Sequence, residues 1–532
     1  MGFDAKAQQK NSMAVGANSL SSAESAVAFG TQSKASASKA SAFGDNANAH
    51  GASSVAIGAN SLAQGANSIA NGFESNAFGE NSIAIGKSSH VTGENGVAIG
   101  NAALAEKYSY AMGTQAQALG NGASAIAIGD RAYAKSEPGG NTAIALGSDA
   151  YAIKSGVAIG SRAKAGQDSA IAIGWGANAT DSLSGIAIGD RANAIGDNAI
   201  AIGGNPNQTA TFANGKGAVS MGSGANSLGQ GAIALGGLGG TYGGSEALAN
   251  FAVAIGADAH ATDIGAIAIG GNGVDAAQAD GKDSLAFGTG SQTAARSVGG
   301  IAIGLHSKSD ADYATAIGPW AQAMQDHSMA IGANAFADGA YAMAVGDRNL
   351  ALKEESIAVG LQNKVDAEKA SSFGHRNLIE GYHDLAIGHD NLLASGLPAS
   401  GTTMSGVNNA FGSENVIVGT ENIATGNYNN IGGAEYDEAS LSKTANGNPL
   451  QNVTVNGNRN SVNSSSNENT DTVVVGSSST LFGTRNNTIG TYNRIGNSAS
   501  SIEVSNANVL GNENVVNSNN SGIVGNNNTI ES

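Results

Sequence analysis

Three histidines within 15 residues, His375, His383 and His389, could hold a metal ion or gain charge below neutral pH. His375 and His389 lie 14 residues apart, and an exposed stack at a turn is the preferred reading, with no metal expected. GGNGVD, Gly270 to Asp275, matches the calcium-binding word GGxGxD once. Such sites complete their coordination from adjacent nine-residue repeats, and none follow. Gly281-Lys282 is followed by Asp283, which fails the phosphate-binding loop, and neither HExxH nor GxSxG occurs. Nothing places a nucleophile or an acid–base pair in a pocket, so neither catalysis nor a cofactor is expected.

The side chains suited to binding are aromatic. Trp175 and Trp320 each follow a recurring glycine and belong in turns, where an exposed indole anchors a partner or staples one chain to the next. Tyr133 and Tyr151 share one repeat position and form a small aromatic ladder on an outer face.

What must position these residues is a repeat. The word SIAIG, Ser82 to Gly86, recurs through most of the chain, with Gly58, Gly86, Gly100, Gly174 and Gly332 among 26 marker glycines. Of their 25 spacings, 16 equal 14 residues. The residue before the glycine, such as Ile85, is apolar in 25 copies, and the one before that is Ala in all but two, as at Ala84. Large–small–large before a glycine reads as a short strand, and the small residues three and five after it read as a second. One 14-residue unit cannot bury a face alone, but stacked units make an all-β parallel solenoid, one coil per repeat. Two facing sheets need about 10 Å of side-chain fill, so Ile83 and Ile85 are expected inside and the nearly invariant Ala outside. An outward surface held to Ala predicts close approach of other backbones, hence self-association.

NSIAIG (Asn81 to Gly86), SSVAIG (Ser53 to Gly58) and NSMAVG (Asn11 to Gly16) resemble the head repeats of YadA-like trimeric autotransporter adhesins. The resemblance covers roughly residues 11 to 390. It implies a left-handed parallel β-roll assembled as a homotrimeric rod on a Gram-negative outer membrane. The implied partners are host matrix proteins, host cell-surface receptors or other bacterial cells. Collagen binding by such words would carry over to Asn81, Ser82, Ile83, Ala84, Ile85 and Gly86, but inward Ile side chains could not touch collagen.

Composition agrees with an elongated, non-catalytic object. Charged residues are 13 %, aromatics 5 %, and 78 of the 532 residues are Gly. The net charge of −17 argues against nucleic acid or an anionic membrane as the main partner. A local basic cluster at Lys154, Arg162 and Lys164 reads as a solvated face. There is no cysteine, so folding needs no disulfide. Residues 1–10 lack a charged segment followed by an apolar one, and no apolar run of about 18 residues occurs. Signal, stalk and membrane anchor are therefore expected outside this chain.

Between residues 130 and 300 the period breaks. Extra residues are expected to leave the roll as loops at Ser136–Asn141, Asn205–Gly215, Gly237–Ser245, Gly271–Gly281 and Gln292–Gly299. A second signature then appears, Asn three after the glycine at Asn349, Asn363, Asn377 and Asn391, which predicts a stacked amide ladder. Beyond residues 392–410 the glycine–asparagine word recurs every seven residues, with Asn415 and Asn422 in it. The expected division is a lead-in at 1–10, a head β-roll at 11–391 and an Asn-rich variant roll at 392–532, with an insertion at about 433–472. The expected function is multivalent adhesion. A phage tail-fibre segment is the alternative, and an ice-binding solenoid is disfavoured because the threonines keep no common repeat position.

Overall fold

The structure, a computed structural model, describes residues 2–138, 141–204, 210–237, 243–394, 408–432, 435–436, 443–444, 450–464, 469–497 and 500–531. It divides into two compact units, Met1–Ala276 and Ala277–Ser532.

In the first unit most coils carry a three-residue strand ending just before the marker glycine and a two-residue strand after it. Ile83–Ile85 runs parallel to Ile69–Asn71 below and Val97–Ile99 above, with Ala84 opposite Ala70 and Ala98. His90–Val91 lies in the same way between Asn76–Ala77 and Leu104–Ala105. The roll is thus two parallel ladders joined by tight turns. A left-handed backbone recurs every seven residues, at Asn67, Glu74, Asn81, Ser88 and Asn95, with φ between 54° and 56°. Asn and Ser supply several of these positions because short polar side chains tolerate that conformation best. Gly86 cannot be replaced by such a residue. Its φ is 124°, and a Cβ there would stand 2.5 Å from the carbonyl oxygen of Gly100 in the next coil.

The interior is the reverse of the expected one. Ala84 is completely buried, whereas Ile83 is half-buried and Ile85 is 37 % exposed. Four small residues fill each coil, here Ser82, Ala84, Ser89 and Val91. Among the described residues of this unit, Val91 is the largest fully buried side chain. The physical reason is the turns. Half-coils of seven residues hold the sheets closer than the ~10 Å that interdigitating side chains require, so the gap admits little beyond a Cβ. Invariant Ala is the mark of that gap, and the self-association argument built on outward Ala falls. Serine is tolerated inside because its hydroxyl bonds backbone. Ser82 Oγ donates to the Gly79 carbonyl at 2.6 Å, and Ser89 Oγ to that of Gly86 at 3.0 Å.

The second unit begins with the same alanine interior, then changes. Five residues after the glycine, Ala351 gives way to Val365, Ile379, Leu393, Ile417 and Ile431, all fully buried. In step, the residue three after the glycine becomes a buried Asn, and the first strand lengthens to five residues, as at Met343–Asp347 and Ile357–Leu361.

Of the expected loops, residues 139–140, 205–209 and 238–242 lie outside the described residues. Gln278–Ala279 and Gln292–Thr293 are ordinary second strands paired with each other, so the last two expected loops overlap the ladder. They occupy the positions four and five after the glycine, or its equivalent, where the backbone is always extended. Within the expected insertion, Leu450–Asn456 runs parallel to Ile423–Thr425, and Ser461–Asn463 parallel to Asn430–Ile431.

Candidate binding surface

Because the alanines point inward, their strand neighbours point out. In the first unit Phe29, Phe43, Ile57, Ile85, Met112 and Ile128 are each more than a third exposed, as are Ile159, Ile188 and Met221 further along. They stack coil upon coil, since Phe29 pairs with Phe43 and Phe43 with Ile57 in register. Single exposed apolar residues are ordinary, but an apolar column of this length, broken by Asn71 between Ile57 and Ile85, is the mark of an interface. The sequence reading missed this face because it placed the same residues inside.

The second ladder presents mixed chemistry. Tyr133 and Tyr151 stack with centroids 5.3 Å apart and planes 9° from parallel, both half-buried. Trp175 is exposed in a turn, with the Arg191 guanidinium 4.7 Å and that of Arg162 5.9 Å from its ring. Trp320 stacks on His306 at 5.8 Å. A longer aromatic column, Tyr313, His327 and Tyr341, with centroids 5.2 and 4.8 Å apart, was not singled out from sequence. Its signal was there, in three flat rings at spacings of 14.

His375 and His389 pair in register one coil apart, and His389 Nδ1 lies 3.1 Å from Asp390 Oδ2. His383 instead stacks on Tyr382 at 4.1 Å. Among the described residues no three His, Asp or Glu side chains converge as a metal would require. In GGNGVD, Asn272 Oδ1 accepts the backbone N–H groups of Val274 and Asp275, both at 2.8 Å, which makes the word a turn.

A family model described as the YadA head domain repeat matches residues 1–19, 21–47, 35–61, 49–75, 63–89, 77–103, 106–132, 154–177, 183–205, 213–238, 247–272, 275–291, 295–319 and 323–349, more than half of the chain. The chain belongs to the YadA head repeat family. Comparison with curated proteins gives no match. The family is one of adhesin-type, non-catalytic heads of trimeric autotransporters.

The matched YadA head repeats end at residue 349, where the asparagine ladder begins. Asn363 Nδ2 donates to Asn349 Oδ1 at 2.9 Å and to the Gly374 carbonyl at 2.8 Å, while its backbone N–H also donates to Asn349 Oδ1. Asn377 and Asn391 repeat the pattern, followed by Asn415, Asn429 and Asn460. Asn422 belongs to the other corner. It donates to Asn408 Oδ1 at 3.2 Å, and Asn408 in turn donates through its backbone N–H to Asp384 Oδ1 at 2.8 Å. Asp384 thus stands where later coils place Asn. Burial pushes its carboxyl up to about 7, against the Asn408 donors that pull it down.

Proposed function

We propose that this YadA-type head works as the outward-facing passenger of a homotrimeric adhesin on a Gram-negative outer membrane. The observation that carries the reading is the apolar column of Phe29, Phe43, Ile57, Ile85 and their counterparts, interrupted by Asn71 between Ile57 and Ile85. Covering it with equivalent columns of two further chains removes it from water at about 25 cal/mol per Å². Adhesion then works by repetition, many weak contacts across three chains, with host matrix proteins, cell-surface receptors or other bacteria as partners. Trp175, Trp320, Tyr133 and Tyr151 are the side chains proposed to meet them. The division at 392 stays part of this reading, supported by Asn at both corners of the coil from Asn408 onward.

Sedimentation equilibrium of the purified chain tests the assembly. A mass three times 52.2 kDa is expected, and a folded 52.2 kDa monomer would sink it. Attachment of cells displaying the chain to immobilised matrix proteins tests adhesion separately.

A further inference from the structure

The acidic chain carries a concentrated basic notch in the first unit. Residues two and four after each glycine both face outward, so successive coils enclose a shallow groove. Around Gly176 this groove widens to a depression of about 540 Å³. Arg162 stands on one side and Arg191 on the other, with Lys164, Asn178 and Asn193 along the floor. Arg162, Lys164 and Arg191 are exposed. Asp149, the one carboxylate lining the notch, is engaged by Arg131 in a bidentate pair of 2.7 and 3.0 Å from the neighbouring coil. Asn178 Nδ2 donates to Asn193 Oδ1 at 2.9 Å, which ties the two side chains together.

Two guanidiniums at the same repeat position with one coil between them stand about 10 Å apart at ~4.8 Å per coil. Planar forks of this kind suit bidentate recognition of sulfate and carboxylate, and Lys164 adds a third charge. Trp175 lies between the two guanidiniums, 4.7 Å from that of Arg191 and 5.9 Å from that of Arg162, and holds both cations at the notch. The distant acidic surface is screened beyond about 8 Å at physiological salt, so the local cations govern what enters the notch. It would still repel a long polyanion lying along the coils, which favours a short segment over nucleic acid. We propose that this notch binds a short segment of a sulfated glycan, its anionic groups held by Arg162, Arg191 and Lys164. The assignment deepens the adhesion reading, and rests on it for the biological setting in which such a glycan is met.

The experiment is binding of the purified full chain to immobilised heparin, to the same polysaccharide after desulfation, and to a single-stranded oligonucleotide. Two variants accompany it, Arg162→Ala with Arg191→Ala, and Lys164→Glu, which reverses a charge at an exposed position. Expected is heparin binding that weakens with salt, falls about tenfold or more in each variant and is absent for the desulfated chain. Equal binding by desulfated heparin, a preference for the oligonucleotide, no binding at all, or binding untouched by either variant would each overturn the assignment. Cell attachment that survives in the variants would leave the adhesion reading standing without the notch. Heparin binding by a chain that supports no attachment would do the converse.

Discussion

Ala84 and Ile85 are adjacent, yet the fold asks opposite things of them. Ala84 sits in a gap with no spare volume, so Ala84→Leu is expected to destabilise the roll by about 1–3 kcal/mol or more, read as a lowered unfolding midpoint. Ile85 lies on the surface of the single chain, and Ile85→Ser is expected to move the midpoint of an isolated chain by no more than about 0.5 kcal/mol. Asp384 supplies a pH test at the same scale. Its carboxyl titrates near 7 in the folded chain and near 3.9 when unfolded, so between these values the native state holds the extra proton. Stability of the second unit should therefore fall as pH rises from about 4 to about 7 and level off above. Asp384→Asn, which places in this coil the residue found at Asn408 and Asn422, should abolish that slope and raise stability at neutral pH. A slope unchanged in the variant would show that another group governs it.

At the scale of the coil, the asparagine ladder couples each turn to the next through bonds to buried groups. Asn377→Ala removes the acceptor of the Asn391 backbone and side-chain donors at 3.0 and 2.9 Å, and the donor to the Gly388 carbonyl at 3.0 Å. Leaving such groups buried and unpaired costs about 1–3 kcal/mol each. Because a solenoid is stabilised between nearest neighbours, the loss should appear locally, as faster amide exchange at Asn363 and Asn391, with amides near Ala302 unaffected. Uniform acceleration throughout the second unit would contradict this nearest-neighbour picture. The ladder shows what a sequence makes legible. Period, strand positions and the stacking of like residues all follow from spacing, because a parallel roll brings residue n beside residue n+14. Which face of a strand points inward does not follow from alternation alone. Ile83, Ala84 and Ile85 alternate equally well either way, and the choice turns on the distance between sheets, set by turn length. The recurrence of Asn and Ser at left-handed positions every seven residues carried that information, and it outweighs the usual preference for burying Ile. The notch around Gly176 was less legible still, since Arg191 joins Arg162 and Lys164 only through the stacking of coils.

For the whole molecule, the outward column links assembly to adhesion in one experiment. Placing Lys at Ile57, Ile85 and Ile128 puts charges on the apolar column while leaving Ala56, Ala84 and Ala127 inside, so the roll itself should remain folded. In a trimer these charges would be buried and unpaired, which is strongly unfavourable. The variant should therefore sediment as a 52.2 kDa monomer with unchanged far-ultraviolet dichroism. Its binding to a multivalent surface should then fall by about 10²–10⁴, while affinity for a single soluble ligand unit stays near that of the parent chain, because linkage multiplies weak contacts without creating new ones. A monomer that holds the surface as well as the parent would mean that one roll is enough for attachment. A variant that stays associated would mean that the column is not the interface, and that another face of the roll holds the chains together.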